Sequence, residues 1–92
     1  MIRSFRNKAL KRFFESGNPR GLSVQDTNRL RRILLALDAA GHPEDMDIPG
    51  YYFHGLSGRD KGRYSVRMTG NWRITFSWSG EDATDIDAED YH

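Results

Sequence analysis

The periodicity of the apolar residues changes once along the chain, near residue 50, and this change limits the possible folds. Before it, apolar side chains recur at i, i+3, i+4 and i+7 from Leu30 to Leu37, which is the spacing of one helix face. After it, apolar and polar residues alternate, as they do in a strand with one buried side. Because the two patterns are segregated, the chain predicts an α+β fold with two N-terminal helices packed on one face of an antiparallel sheet.

The predicted element order is β-α-α-β-β-β-β, in one domain that spans residues 1–92. A short strand is expected at residues 2–5, and the first helix at residues 5–16. The second helix is expected to begin after an N-cap at Ser23 and to end near Ala40, before Gly41 and Pro43. Four strands follow, over residues 51–56, 63–68, 72–78 and 83–88. On the last of them, alternation predicts that Thr84, Ile86 and Ala88 point inward.

A hairpin loop at residues 69–71 determines which side chains face each other on the middle strands. It pairs Met68 with Trp72, and it places Arg67 opposite Arg73 on the face that the helices leave open. Like charges directly across a ladder cost up to about 1 kcal/mol, and a bound phosphate that bridges the two guanidinium groups would offset this cost. The alternative is that each arginine pairs with a carboxylate of the last strand region: Asp85, Asp87 or Asp90.

Charge is strongly segregated although the net formal charge is only +1. Residues 1–36 carry nine basic and two acidic side chains, and residues 59–73 carry five basic and one acidic. Residues 37–58 and 74–92 carry four and six acidic side chains, respectively, and no basic ones. Such blocks either present a cationic face to a polyanion or neutralise one another in the fold.

Composition excludes several classes of protein. The chain has no cysteine, which excludes a disulfide framework and a thiolate metal site. It contains no run of 18 apolar residues and no signal-peptide pattern, so we expect a cytoplasmic protein without membrane contact. Its histidine and carboxylate residues show no known metal-site spacing, and we expect no metal and no cofactor.

Candidate acid–base residues stand at two places in the chain. His54 lies in the strand before the hairpin, where alternation groups it with Tyr52 and Leu56. Asp90, Tyr91 and His92 end the sequence. Histidine can transfer protons near neutral pH, and tyrosine can stack on a base. The alternatives are a partly buried polar histidine and an ordinary frayed tail.

Four motifs resemble those of the HigB toxins, the plasmid maintenance system killer branch of the RelE superfamily. They are residues 2–5, residues 54–58, residues 70–76 and residues 89–92. The resemblance covers essentially the whole chain. It implies a RelE-like bacterial toxin of a type II toxin–antitoxin system, which cleaves mRNA in the ribosomal A site and thereby inhibits translation. It also implies an antitoxin, HigA, whose helix-turn-helix domain represses the shared operon, so that DNA is contacted only through the antitoxin.

The resemblance also implies roles for single residues. The catalytic positions that match are His54, Arg73, Asp90, Tyr91 and His92. Arg67 and Asn71 match substrate-binding positions, and an amide such as that of Asn71 can pair with an adenine edge. Ser57 stands where such toxins often have lysine, which leaves Arg59 and Lys61 as candidates to supply that cation.

These residues support a metal-independent endoribonuclease in which the RNA 2′-hydroxyl attacks the adjacent phosphate. We expect His54 to act as the base and His92 as the acid, while Arg73 and Arg67 stabilise the phosphate. Basic residues on the helices would dock on ribosomal RNA: Lys8, Lys11, Arg12, Arg29 and Arg32. One alternative is a weakly active or inactive RelE-like module that acts mainly as the antitoxin-binding partner in operon autoregulation. Others are an RNA-binding protein that needs no ribosome and a purely structural interaction protein.

Overall fold

Two helices cover one face of a four-stranded antiparallel sheet in a computed structural model that describes residues 1–90. The helices are α1 (Lys8–Ser16) and α2 (Thr27–Ala39). The strands, in their spatial order, are β1 (His54–Gly55), β2 (Arg63–Arg67), β3 (Trp72–Ser79) and β4 (Asp82–Asp90). Short 3-10 helices occupy Pro43–Met46 and Gly58–Asp60. The predicted α+β architecture is confirmed.

Both helices begin at side chains that cap their free backbone amides. The Asn7 side chain accepts hydrogen bonds from the amides of Ala9 and Leu10, so α1 starts later than residue 5. Asp26 accepts from the Arg29 amide, and α2 starts at Thr27. The predicted N-cap at Ser23 is therefore wrong. Ser23 lies in the loop before this cap, in which the side chain of Val24 is buried in the core.

The N-terminal segment runs parallel to β4 but forms no continuous strand. Two isolated bridges join Ile2 to Ala83 and Phe5 to Ile86. Between them, the amide of Asp85 donates to the Ser4 hydroxyl at 2.9 Å instead of to a backbone carbonyl. The predicted strand over residues 2–5 is thus reduced to these bridges, because the ladder is interrupted at Asp85.

The β2–β3 hairpin has the register that the loop predicts. Arg67 stands opposite Arg73, and the Met68 amide donates to the Trp72 carbonyl at 2.9 Å. Ile74 and Phe76 are fully buried beneath the helices. The arginines therefore lie on the other face of the sheet, which the helices do not cover.

The predicted strand over residues 51–56 shortens to His54–Gly55. Tyr52 has a φ of +49°, a left-handed conformation that ends the extended run. The edge of β2 still pairs with this segment, since the Arg67 amide donates to the Tyr51 carbonyl at 2.6 Å. His54 is aligned with Ser65 across the two strands.

A β-bulge in β4 changes which of its residues point inward. Asp85 has a φ of +51°, and the register with β3 shifts between Thr75 and Ser77. Ala83 and Ile86 are fully buried as a result, so the prediction that Thr84 points inward is wrong. Beyond the bulge, Asp87 and Glu89 share the open face, while Asp90 is aligned with Trp72. No helix in the described part of the chain is long and apolar enough to cross a membrane.

Candidate active site

A cleft of about 420 Å³ lies on the open face of the sheet, where β1, β2 and β3 meet the hairpin loop. It is lined by Tyr52, His54, Ser65, Arg67, Gly70, Asn71 and Arg73. Four of these residues were predicted as site residues from the sequence: His54, Arg67, Asn71 and Arg73. Two conformational features bring them together, the tight loop after β2 and the pairing of His54 with Ser65.

The surroundings of His54 specify which ring nitrogen carries the proton. Its Nδ1 lies 3.0 Å from the Tyr52 carbonyl oxygen, which can only accept a hydrogen bond. Its Nε2 lies 3.4 Å from Nη1 of Arg73, which can only donate. Of the two neutral tautomers, both neighbours therefore favour the one with hydrogen on Nδ1. The lone pair of Nε2 is then directed into the cleft, where it can accept a proton.

Arg67 and Arg73 face each other across the hairpin, and each guanidinium has a different neighbour within the cleft. The guanidinium carbon of Arg67 lies 5.4 Å from the ring centroid of Tyr52, a cation–π contact. Arg73 is half-buried beside Nε2 of His54. Among residues 1–90, Arg67 forms no ion pair with a carboxylate, so the alternative of an acid partner from Asp85, Asp87 or Asp90 is wrong for Arg67.

The opposite end of the open face holds a third arginine of a different kind. Arg63 is buried, and its guanidinium donates to the hydroxyl oxygens of Ser77 and Thr75 at 2.9 Å and to the Asp85 carbonyl at 3.0 Å. Burial lowers the pKa of Arg63, and the nearby Arg6 acts in the same direction. This side chain secures the bulge of β4.

The remaining predicted site residues lie elsewhere. Arg59 and Lys61 are exposed near the Gly58–Asp60 turn and do not line the cleft. Asp90 lines a neighbouring depression of about 300 Å³, together with Gln25 and Trp72. Asn71 contributes to both depressions. Tyr91 and His92 lie outside the described residues.

Besides Gly70 in the hairpin loop, the structure adds two residues that were not predicted as site residues. Tyr52 lines the cleft with its ring exposed, and Ser65 places its hydroxyl 3.4 Å from Nε2 of His54. For Tyr52, the sequence signal was its grouping with His54 in the predicted alternation. Arg29, expected to dock on ribosomal RNA, instead binds the carbonyls of Met68, Gly50 and Arg67.

Comparison with known proteins places the chain in one family. The family model for the RelE-like toxin of the type II toxin–antitoxin system HigB matches residues 3–92. Endoribonuclease HigB of Proteus vulgaris is 39% identical over 92 residues, which cover the full length of both chains. Toxin HigB-1 of Vibrio cholerae serotype O1 is 36% identical over 80 residues, or 85% of this chain and 84% of that protein.

A solved structure supports the fold independently of close sequence similarity. The crystal structure of a histidine-to-glutamine mutant of YafQ from E. coli superposes with a TM-score of 0.60 at 14% identity. The match covers 98% of this chain and 93% of the YafQ chain. With the family match over nearly the whole sequence, the conclusion is direct: the chain belongs to the HigB-like family of RelE-like toxins from type II toxin–antitoxin systems.

Proposed function

We propose that this toxin is a metal-independent endoribonuclease that cleaves mRNA in the ribosomal A site. The observation that carries the proposal is the position of His54, whose Nε2 lies beside Arg73 in an open cationic cleft. A base next to guanidinium groups suits the cleavage of RNA, which supplies its own 2′-hydroxyl nucleophile. The name of the Proteus relative, Endoribonuclease HigB, supports the same reaction.

The proposed reaction needs one proton acceptor, one proton donor and a cationic phosphate site. Nε2 of His54 removes the proton of the 2′-hydroxyl as the bond between O2′ and phosphorus forms. Arg73, together with Arg67, stabilises the added negative charge on the phosphate oxygens. The bond from phosphorus to O5′ then breaks, and His92 protonates the leaving oxygen. The products are a 2′,3′-cyclic phosphate and a 5′-hydroxyl.

Other predicted residues have supporting roles in this proposal. Asp90 orients a histidine or holds the chain terminus, and Tyr91 stacks on a base at the cut. Asn71, which is exposed at the hairpin tip, reads an adenine edge. Arg59 and Lys61 approach more distant phosphates, since they lie outside the cleft.

As a type II toxin, the chain has an antitoxin partner; we propose that it is a HigA-type protein with a helix-turn-helix domain. The ribosome is the second proposed partner. Four exposed cations of the two helices offer a surface for ribosomal RNA: Lys8, Lys11, Arg12 and Arg32. Both partners and the mRNA substrate imply a cytoplasmic site of action.

The test is cleavage of a short mRNA on ribosomes with an empty A site, compared with the same mRNA free in solution. We expect His54→Gln and His92→Gln each to lower kcat/KM by about 10²–10⁴-fold, because each removes a proton-transfer group. His42→Gln is the matched control, because His42 is exposed beside Glu44 and Asp45, away from the cleft.

Three results would contradict the proposal. Cleavage by both site variants at nearly the wild-type rate would exclude the proton-transfer roles. Equal cleavage of free mRNA would exclude dependence on the ribosome. Antitoxin binding without cleavage by the wild-type chain would favour the role of an inactive partner in autoregulation.

A further inference from the structure

Tyr52 is an exposed aromatic residue in a conformation that tyrosine rarely adopts. From these features we infer that its ring is a platform on which an unpaired base of the RNA stacks, next to the scissile phosphate. The inference rests on the proposed function, because it assigns the base-binding part of the same cleft. It adds a base-binding residue that no comparison or motif assigns.

The backbone of Tyr52 is held in place by contacts on both sides. Its φ of +49° lies in the left-handed region, which disfavours residues with a bulky side chain. The preceding carbonyl, of Tyr51, accepts from the Arg67 amide at 2.6 Å, and the carbonyl of Tyr52 accepts from Nδ1 of His54 at 3.0 Å. Unfavourable backbone conformations of this kind persist where surrounding contacts impose them, and they are frequent at ligand sites.

Tyr51 and Tyr52 form a natural comparison, because each lies near an arginine. Arg29 lies over the Tyr51 ring at 5.0 Å, and Tyr51 is half-buried against the core. Arg67 lies over the Tyr52 ring at 5.4 Å, but Tyr52 remains 66% exposed at the edge of the cleft. Tyr51 is therefore a packing residue, whereas Tyr52 has apolar ring surface still available to a ligand.

The position of the ring selects the ligand. Bases of single-stranded RNA stack on tyrosine rings and are held by adjacent arginines. Here the arginine that contacts the ring, Arg67, stands opposite Arg73, which contacts Nε2 of His54. A base on Tyr52 thus belongs to a nucleotide that flanks the phosphate at His54.

The first experiment compares Tyr52→Asn with Tyr52→Phe in the cleavage assay. Asparagine tolerates the left-handed conformation, so Tyr52→Asn removes the ring and keeps the backbone that holds His54. We expect kcat/KM to fall roughly 5- to 100-fold for Tyr52→Asn, the usual loss for one stacked base. Tyr52→Phe keeps the ring and should stay within about twofold of wild type. The pH dependence should be the same in all three proteins, since His54 is unchanged.

The second experiment removes the base instead of the ring. Synthetic mRNAs carry an abasic nucleotide on one or the other side of the cleavage position. At one of the two sides, the wild-type enzyme should lose about as much activity as Tyr52→Asn loses on intact mRNA. Tyr52→Asn should cleave that abasic mRNA nearly as fast as it cleaves intact mRNA. The inference would be overturned if the losses from Tyr52→Asn and from the abasic nucleotide were fully additive at both positions. It would also be overturned if Tyr52→Asn cleaved intact mRNA as fast as the wild type.

A binding measurement separates failure of this inference from failure of the proposed function. The mRNA carries a 2′-O-methyl group at the cleavage position, which blocks attack, and its affinity is measured on programmed ribosomes. Weaker binding by Tyr52→Asn than by Tyr52→Phe supports the platform, and equal binding by the two overturns it. This binding comparison can be interpreted even if the wild-type chain does not cleave RNA. Absence of cleavage would contradict only the proposed function.

Discussion

At one end of the open sheet face, Arg63 is buried and its guanidinium donates to two hydroxyls and a carbonyl. At the other end, Arg73 lies beside Nε2 of His54, and Arg67 contacts an exposed aromatic ring. Arg63 and Arg67 belong to the same strand and the same face, two pleats apart. We refer to these two regions as the bulge end and the cleft end.

The difference between the two ends lies in the partners of the guanidinium groups. At the bulge end, neutral oxygens of the protein accept hydrogen bonds from Nη1 and Nη2 of Arg63, and little of the side chain reaches solvent. At the cleft end, Arg73 lies beside an imidazole and stands opposite Glu89, and Arg67 contacts an aromatic ring. The same residue type therefore packs into the fold at one end and lines a cleft at the other.

Among the arginine substitutions, the largest effect on activity is expected at the cleft end, from Arg73→Gln. Loss of one preorganised donor to the transition state usually costs about 10²–10³-fold in rate, and we expect this fall in kcat. Arg73→Lys should recover part of the activity, because it keeps the charge but not the planar fork of donors. Cleavage kinetics on programmed ribosomes measure both variants. A fall in thermal stability with unchanged kcat would assign Arg73 to the structure instead.

The opposite result is expected at the bulge end, from Arg63→Met. This change removes the donors to Thr75, Ser77 and the Asp85 carbonyl, and buried groups left unsatisfied cost about 1–3 kcal/mol. The melting temperature should fall by roughly 4–8 °C for each kcal/mol. Well below that temperature, kcat/KM should stay within about threefold of wild type. If Arg63→Met instead kept the wild-type melting temperature and lost much of its activity, Arg63 would contribute to the reaction at the cleft end.

The hairpin of the cleft end was predictable because it depends on local rules. Period-two alternation and a three-residue loop together place Arg67 opposite Arg73, and the structure confirms this register. Tyr52 also lines the cleft beside His54, but it precedes the strand, and its positive φ breaks the predicted alternation. The sequence therefore brings four predicted residues to one place, although their catalytic and binding roles remain predictions.

The bulge end was not predictable, because contacts between distant segments determine it. Asp85 adopts a positive φ, and there its amide donates to the Ser4 hydroxyl while its carbonyl accepts from Arg63. Both partners are distant in the sequence, so no local sequence pattern predicts these contacts. The predicted alternation consequently fails at Thr84, whereas Ile86 and Ala88, beyond the bulge, point inward as predicted. The predicted N-cap of α2 is also wrong: Asp26 caps the helix, and Val24 is buried in the loop before it, a long-range contact that no local pattern shows.

The smallest effects are expected from removing one hydroxyl at each end. Ser65→Ala deletes the Oγ that lies 3.4 Å from Nε2 of His54, and Ser77→Ala deletes the Oγ that accepts from Arg63 at 2.9 Å. A neutral hydrogen bond contributes about 0.5–1.5 kcal/mol. The contact between Ser65 and His54 is the longer of the two, so we expect its contribution to lie near the lower limit of this range. We expect Ser65→Ala to lower kcat/KM by about two- to fivefold with little change in melting temperature.

Ser77→Ala serves as its matched control and should do the reverse. It should lower the free energy of unfolding by about 1 kcal/mol and leave kcat/KM unchanged, because Arg63 loses an acceptor far from the imidazole. Kinetics and thermal melts on both variants, under one set of conditions, make the comparison. If both substitutions lowered activity and stability in the same proportion, the open face would be one coupled unit, and the separation into a structural and a reactive end would be wrong.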